Sequence, residues 1–227
     1  MIQLVVFDMA GTVVNEQNVV YKTLQKAINQ AGVPVTLEQV LHLGAGKEKR
    51  AAIVDILAVH SPGQSEESIE RMFRYFLVEL EKAYDNLEVI PVEGAEEVFR
   101  ILMQHGVRVV LNTGYNRETA EGLIHKLGWQ QGEQFDELVT ASDVLHARPL
   151  PDMILHAMFL TGIDNEKEVL KIGDSGIDIE EGKNAGCGLT VGITTGAQTR
   201  EQLALASPDF IIDSLRELPA LIGLEPQ

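Results

Sequence analysis

Short apolar segments recur along the chain and predict the strands of a β-sheet. Valine and isoleucine dominate these segments, and several do not alternate with polar residues, which is typical of strands buried on both faces of a parallel sheet. The predicted strands cover residues 4–7, 107–111, 138–140, 169–172, 190–193 and 210–212.

Helical segments separate most of these strands, and glycines mark where the helices end. Residues 95–104, 118–127 and 179–185 are each followed within two residues by a glycine. Glycine readily adopts the left-handed conformation that terminates a helix. Strands that alternate with helices predict a doubly wound α/β fold with a parallel sheet, that is, a Rossmann-like core.

Residues 15–88 depart from this alternation, because they contain helical patterns and no convincing strand. Thr36 and Gln39 form a capping-box pattern that begins a short helix. Further helices are predicted at 21–30 and 48–59, followed by a longer one with an apolar stripe at helical spacing. The stripe consists of Ile69, Met72, Phe73, Phe76, Leu77, Leu80, Ala83 and Tyr84.

We interpret this region as an all-helical cap domain inserted into the core, since crossovers between parallel strands are normally short. Residues 15–88 would form the cap, and residues 1–14 and 89–227 would form the Rossmann-like catalytic core. The alternative is a single domain with four ordinary surface helices. The apolar stripe would pack inside the cap and would also suit a homodimer contact through the cap.

Composition and charge limit the partners of the protein. Of the 227 residues 45% are hydrophobic, enough to bury a sizeable core. A formal net charge of -16 argues against nucleic acid and against anionic membrane surfaces, both of which attract basic residues. Cys187 is the only cysteine, and the first residues have no signal-peptide pattern. We therefore expect a cytoplasmic protein.

Candidate chemistry is concentrated where the predicted strands end, the edge at which open α/β sheets bind ligands. Asp8 follows the first strand directly, and a carboxylate there can act as a nucleophile or a metal ligand. Gly11 lets the backbone turn closely around a bound group, and Thr12 follows it. Thr113 and Gly114 offer hydroxyl and amide donors that suit phosphate oxygens. Each pattern alone is also common in ordinary turns.

Two later segments add charged groups to the same edge. Arg148 is followed by two prolines that stiffen its segment, so that it would either neutralise a phosphoryl group or pair with a surface acid. Asp174 and Asp178 follow the strand at 169–172. Two carboxylates four residues apart predict a divalent-cation site, and Mg²⁺ prefers such oxygen ligands.

The four segments, in this order, resemble the motifs of the haloacid dehalogenase superfamily of phosphoryl-transfer enzymes. The resemblance extends over residues 4–193 and includes a helical cap after the first motif. It implies an Mg²⁺-dependent hydrolase in which Asp8 attacks phosphorus and forms an aspartyl phosphate. The metal ligands that it implies are Asp8, the Ala10 carbonyl and Asp174, with Asp178 in support. The substrate- and phosphate-binding residues that it implies are Ala10, Gly11, Thr12, Lys47 and Gly114, together with the catalytic residues Thr113 and Arg148.

Ala10 indicates a particular branch of the superfamily. Most phosphatases in it carry a second aspartate at this position, which protonates the leaving group and activates water, and a methyl group can do neither. Phosphonoacetaldehyde hydrolases, the phosphonatase branch, have alanine there. They also have arginine in place of the usual lysine at the position of Arg148. Their cap domain supplies a lysine that forms a Schiff base with the aldehyde, so that a P–C bond can break.

The cap of this sequence offers two lysines for that role. An ungapped comparison places Lys49 at the Schiff-base position, and an alignment with one gap places Lys47 there instead. Ile53 falls in register in the first case, which favours Lys49. Both lysines would otherwise be solvated residues at a helix start. Ala45 and Ala52 stand where the branch has Met and His, which indicates a relative that acts on a different small phosphonate or phosphate ester.

Two other functions remain open from the sequence. One is an ordinary phosphomonoesterase of the phosphoglycolate or sugar-phosphate type, in which Lys49 only binds substrate charge. The other is a non-catalytic binding protein with this fold. The base that would hydrolyse the aspartyl phosphate is unassigned, because Ala10 cannot supply one. The net charge does not exclude a small anionic substrate, because Asp8, Asp174 and Asp178 can hold a cation that makes the pocket locally positive.

Overall fold

The computed structural model describes residues 1–85 and 87–224 of the chain. Six of its strands form one sheet in which every neighbouring pair is parallel. The strands are β1 (Leu4–Asp8), β2 (Val14–Asn15), β3 (Ile90–Pro91), β4 (Arg108–Thr113), β5 (Glu137–Thr140), β6 (Val169–Gly173), β7 (Leu189–Ile193) and β8 (Phe210–Ile212). The order in the main sheet is β5-β4-β1-β6-β7-β8. All six predicted strands are confirmed.

Helices flank this sheet and fill the region after β1. They are α1 (Val19–Gln30), α2 (Leu37–Gly44), α3 (Lys49–His60), α4 (Glu66–Asp85), α5 (Ala95–Gln104), α6 (Arg117–Leu127), α7 (Asp152–Thr161), α8 (Gly176–Asn184), α9 (Arg200–Leu205) and α10 (Leu218–Leu221). Thr36 and Gln39 form the predicted capping box at the start of α2, where each side chain accepts a hydrogen bond from the other residue's amide.

Burial on both faces explains why the strands do not alternate. Along β1, Val5 and Phe7 enter one hydrophobic cluster, and Leu4 and Val6 enter a second cluster. All four side chains are fully buried. A strand with two apolar environments selects an apolar residue at every position, so the run in the sequence is continuous.

The centre of the sheet brings the candidate residues together. β1 lies between β4 and β6, with Asp8 beside Asn112 of β4 and Phe7 beside Ile172 of β6. The chain fills the sheet in one direction from β1 to β5 and then crosses back to β6. The resulting switch point at the carboxyl ends of β1, β4 and β6 is where doubly wound folds bind their ligands.

The four helices after β1 pack against one another and are consistent with the predicted cap. Val14 pairs with Pro91, and Asn15 pairs with Ile90, so the antiparallel strands β2 and β3 join the two ends of the helical segment. Sequence analysis missed this pair, because two residues are too few to form a pattern. The division into domains at 15–88 stays a prediction.

The apolar stripe of α4 forms part of the core that the cap helices share. Ile69, Met72, Phe76 and Leu80 are buried in the cluster that also contains α1 and α3 side chains, whereas Leu77 is exposed. Within the described part of the chain, none of the helices has the length and apolarity needed to cross a bilayer.

Candidate active site

A tight turn after β1 sets the position of Asp8. The Met9 carbonyl accepts hydrogen bonds from the amides of Thr12 and of the two residues after it, which folds the chain back on itself. Gly11 has a φ of 88°, and a Cβ on it would overlap the Asp174 carboxylate, so the turn requires glycine. The Thr12 hydroxyl donates to Asp8 Oδ2 over 3.3 Å. The turn thus holds Asp8 and brings Asp174 against the loop.

Three buried carboxylates meet at this edge of the sheet. Asp8, Asp174 and Asp178 each offer an oxygen atom, and these atoms lie within 4.8 Å of one another. Burial and the charge of the neighbouring acids raise the pKa of Asp8 and of Asp174. The Ala197 amide donates to Asp174 Oδ2 over 2.6 Å. Desolvated acids that repel one another suit a divalent cation, which removes the repulsion.

Asp178 differs from the other two acids because cations already surround it. Burial opposes its ionisation, but Arg148 and Lys171 outweigh burial and lower the pKa of Asp178. Its Oδ1 lies 2.9 Å from Arg148 Nη1 and 3.1 Å from Lys171 Nζ. Ser175 Oγ donates to its Oδ2 over 2.5 Å. This geometry suits a supporting acid better than a principal metal ligand.

Arg148 is the cationic centre of the site. Its Nη1 donates to Asp8 Oδ1 over 2.6 Å, and its Nε donates to Glu181 Oε2 over 3.0 Å. Its Nη2 donates to the backbone carbonyl of Asn112 over 2.9 Å and also to the Asn112 side-chain oxygen. The guanidinium is buried. Arg148 therefore contacts the candidate nucleophile directly instead of pairing with a surface acid.

Sequence reasoning missed part of this network. Lys171 Nζ lies 3.3 Å from Glu181 Oε2, and Asn112 Nδ2 donates to Glu181 Oε1 over 3.1 Å. Sequence analysis assigned no role to Glu181 or Lys171. One signal was present in the sequence, since Lys171 interrupts an otherwise apolar strand. A fully buried lysine needs an anionic partner, so its position predicts an internal ion pair.

Thr113 and Gly114 lie where the predicted cap touches the core. Thr113 Oγ1 accepts a hydrogen bond from the Tyr115 amide over 3.2 Å at the end of β4. A Cβ on Gly114 would lie 3.1 Å from the Gly46 carbonyl oxygen and 3.4 Å from that of Lys47. Gly114 thus permits the loop between α2 and α3 to approach the core closely.

Lys49 is the first residue of α3, directly after this loop, and its side chain extends into the interior. Its side chain is buried, and its Nζ lies 5.1 Å from the ring centre of Tyr21 and 5.4 Å from that of Tyr115. The amine donates to the Lys47 carbonyl oxygen over 2.5 Å. Burial, partly opposed by the charge of Asp8, lowers the pKa of Lys49 to about 8. A substantial fraction of this amine is therefore neutral and nucleophilic near physiological pH.

Lys47 has a different environment from Lys49. Its Nζ forms an ion pair with Asp55 Oδ2 over 2.5 Å, and both side chains are partly exposed. Its contact with Lys49 is made by the backbone carbonyl, which accepts the hydrogen bond from the Lys49 amine. An open cavity of about 190 Å³ has Lys49, Gly114 and Tyr115 in one wall and apolar α4 side chains, including Phe73 and Phe76, in another.

These features define an α/β enzyme with an acid-rich active site at the switch point of its sheet. A family model for haloacid dehalogenase-like hydrolases matches residues 2–186. The chain therefore belongs to the haloacid dehalogenase-like hydrolase family, in its phosphonatase-like branch. The protein is accordingly a hydrolase, and a non-catalytic binding protein is not supported.

Curated relatives named phosphonoacetaldehyde hydrolase are similar to most of the chain. The protein from Bacillus cereus is 31% identical over 86% of this chain and 77% of its own length. The protein from Latilactobacillus sakei is 28% identical over 98% of this chain and 95% of its own length. The crystal structure of a phosphonoacetaldehyde hydrolase like protein from Oleispira antarctica superimposes with a TM-score of 0.85 at 24% identity, and covers 99% of this chain and 96% of that chain. This structure shares the fold.

Proposed function

We propose that the protein hydrolyses a small carbonyl-bearing phosphonate, with an aspartyl phosphate at Asp8 and an imine at Lys49. The observation that carries the proposal is the buried Lys49 amine, whose pKa of about 8 suits imine formation and whose loop reaches the core beside the strand edge that holds Asp8. An aliphatic amine that served only to bind anionic substrate would gain nothing from losing its charge.

A divalent cation, most simply Mg²⁺, fits the carboxylate cluster. The Asp8 and Asp174 carboxylates and the Ala10 carbonyl would hold it, with Asp178 in support. When bound, the cation would neutralise repulsion between Asp8 and the anionic substrate. Calorimetric titration with Mg²⁺ tests this part. Mg²⁺ should bind to Asp174→Asn at least tenfold more weakly than to the wild type. Equal affinity in the two proteins would contradict the assignment.

The strand-end residues would carry the phosphoryl transfer. Asp8 would attack phosphorus through a carboxylate oxygen, while Arg148 and Thr113 bind the transferring oxygens. The turn at Ala10, Gly11 and Thr12, together with Gly114, would contribute further donors. Water would then hydrolyse the aspartyl phosphate, which regenerates Asp8 and releases phosphate.

Lys49 would solve the leaving-group problem. Cleavage of a P–C bond leaves an electron pair on carbon, and a simple carbanion is too unstable to depart. An iminium between Lys49 and the substrate carbonyl would accept this electron pair and become an enamine. Protonation of the enamine carbon and hydrolysis of the imine would return Lys49 and release the aldehyde or ketone.

Product analysis with two matched lysine variants tests this function. Phosphonoacetaldehyde serves as the probe, because it is the carbonyl-bearing phosphonate after which the relatives are named. Wild-type protein should release phosphate and acetaldehyde from it in equal amounts. Lys49→Arg keeps the positive charge but cannot form an imine, so turnover should fall at least 1,000-fold, whereas Lys47→Arg should stay within about threefold of wild type. Turnover of phosphate esters alone, with Lys49→Arg unimpaired, would instead identify a phosphomonoesterase.

A further inference from the structure

The cavity of about 190 Å³ beside Lys49 is not used by the mechanism proposed above. Its wall is formed by the start of α3, by α4, by the turn between β4 and α6 and by the residues after β5. Along α4 this wall is apolar, since it consists of Phe73, Phe76, Leu77 and Leu80. Apolar surface that faces water is unfavourable, and an apolar ligand would remove this cost.

Two polar side chains of the wall already serve as helix caps. Glu48 caps α3, where its two oxygens accept hydrogen bonds from the Arg50 and Ala51 amides over 2.8 Å each. Asn116 caps α6, where its Oδ1 accepts a hydrogen bond from the Thr119 amide over 2.8 Å. These acceptor oxygens are committed to helix ends, so the apolar side of the cavity is the main surface that it offers to a ligand.

The cavity borders the proposed imine site but not the carboxylate cluster. Lys49 and Tyr115 both lie in its wall, and the Lys49 amine is 5.4 Å from the centre of the Tyr115 ring. The three carboxylates of the cluster are not part of the wall, and the buried Glu16 side chain borders a different cavity. A ligand joined to Lys49 could therefore extend into this space without approaching the cluster.

An imine at Lys49 would give the substrate two arms. The carbonyl carbon bound to Lys49 would carry the methylene–phosphorus arm, which must reach Asp8, and one further substituent. The carbon is trigonal, so the second substituent points away from the first. Because the phosphonate arm would occupy the strand edge at Asp8, the second substituent would be directed towards other space beside Lys49, which the cavity provides.

We propose that this cavity binds a hydrocarbon substituent on the carbonyl carbon, so that the preferred substrate is a ketone of the 2-oxoalkylphosphonate class. The inference rests on the proposed function. An apolar cavity of about 150 Å³ holds benzene, so a cavity of about 190 Å³ has room for about six carbon atoms. Leu77, Leu80 and Thr119 also border an adjoining cavity of about 360 Å³ between α4 and α6, into which a linear chain could extend.

The reaction would follow the steps given above for a carbonyl-bearing phosphonate. Asp8 would take the phosphoryl group, the P–C bond would break, and its electron pair would pass to the iminium and form an enamine. Protonation of the enamine carbon by water and hydrolysis of the imine would then release a methyl ketone that keeps the hydrocarbon substituent. An aldehyde such as phosphonoacetaldehyde would react in the same way without contacting the apolar wall.

The same cavity disfavours a charged substituent. Among the described residues of its wall, Lys49 is the only cation and Glu48 is the only acid. Once Lys49 has formed the imine, a carboxylate on the carbonyl carbon would be desolvated by aromatic and aliphatic side chains and repelled by Glu48. We therefore expect 3-phosphonopyruvate, which carries such a carboxylate, to be a poor substrate.

The test compares kcat/KM for phosphate release from three ketones with methyl, propyl and pentyl substituents, namely 2-oxopropyl-, 2-oxopentyl- and 2-oxoheptylphosphonate. The carbonyl group is the same in all three, so the comparison reports binding of the substituent. Each buried methylene favours binding about fourfold, and kcat/KM should rise at least 30-fold from the first ketone to the third. For 3-phosphonopyruvate it should be at least tenfold lower than for 2-oxopropylphosphonate.

A pair of matched variants locates the effect in the cavity. Ala141 lies in the wall on the core side, so Ala141→Leu would reduce the space. This variant should lower the preference for 2-oxoheptylphosphonate over 2-oxopropylphosphonate at least tenfold. Ala58→Leu makes the same change at an exposed position of α3 outside the cavity, and it should keep the preference within about twofold of wild type. A ratio of two substrates does not depend on the fraction of folded protein.

The outcomes separate this inference from the function on which it rests. If the protein releases phosphate from phosphonoacetaldehyde but kcat/KM is constant or falls along the ketone series, the role of the cavity alone is overturned. An equal loss of preference in Ala141→Leu and Ala58→Leu would overturn it as well. If neither phosphonoacetaldehyde nor any of the ketones yields phosphate, the proposed function and this inference fail together.

Discussion

At the scale of single residues, burial decides chemistry more than residue type does. Lys47 and Lys49 are two residues apart and carry the same side chain. Lys47 pairs with Asp55 at the surface, whereas Lys49 is buried between two tyrosine rings. An alignment could favour Lys49 only weakly, because burial depends on how the loop between α2 and α3 packs on the core.

Arg148 yields a prediction at this scale. One guanidinium holds Asp8, Glu181 and Asn112 at once, and a lysine ammonium cannot match this planar fork. We expect Arg148→Lys to lower kcat 10- to 100-fold and to reduce the free energy of unfolding by about 2 kcal/mol. Kinetics and urea denaturation check both effects. Arg108→Lys, in an exposed pair with Asp136, is the control and should change little.

At the scale of elements, the pattern of apolar residues predicted those strands and helices that depend on local sequence. The six core strands were found because each is a short and mostly apolar segment, and α2 was found from its capping box. The partners of Lys171 and the place of Glu16 could not be predicted, because both depend on elements far apart in the chain. β2 and β3 were missed because each is only two residues long.

The loop between α2 and α3 carries the prediction at this scale. Gly46 has a φ of 72°, and a Cβ on it would overlap Ser175 and Ile177 of the core. Gly46→Ala should therefore displace the loop and Lys49, and lower kcat/KM more than 100-fold, as enzyme kinetics will show. Gly32→Ala is the matched control, since Gly32 has a φ of 86° but open space around it. It should cost only about 1 kcal/mol of stability. Equal kinetic effects would contradict this account.

At the scale of the whole molecule, a net charge of -16 coexists with the anionic substrate that we propose. The acids at the switch point are partly offset by Arg148 and Lys171, and a divalent cation would offset them further. Global charge thus limits the class of partner, while the local balance of charge at the strand ends determines what the site accepts.

Glu16 gives a prediction about global stability. Its pKa is about 7 in the folded protein against 4.5 for a solvated glutamate side chain, so between these values the folded state holds a proton that the unfolded state has released. The free energy of unfolding should therefore fall as pH rises through this window. Glu16→Gln lacks this loss and should gain about 2 kcal/mol relative to wild type between pH 4 and pH 8. Urea denaturation of both proteins at pH 4 and pH 8 checks the sign. If the free energies of unfolding of Glu16→Gln and wild type differ by the same amount at both pH values, the raised pKa of Glu16 is contradicted.

The most direct test of the central claim is borohydride trapping with phosphonoacetaldehyde, followed by mass spectrometry of the peptides. We expect a two-carbon adduct on Lys49 and none on Lys47. In Asp8→Asn, where the P–C bond cannot be cleaved, the trapped adduct should retain the phosphonate group. An adduct on Lys47, or unmodified Lys49 in protein that still releases phosphate from this substrate, would contradict it.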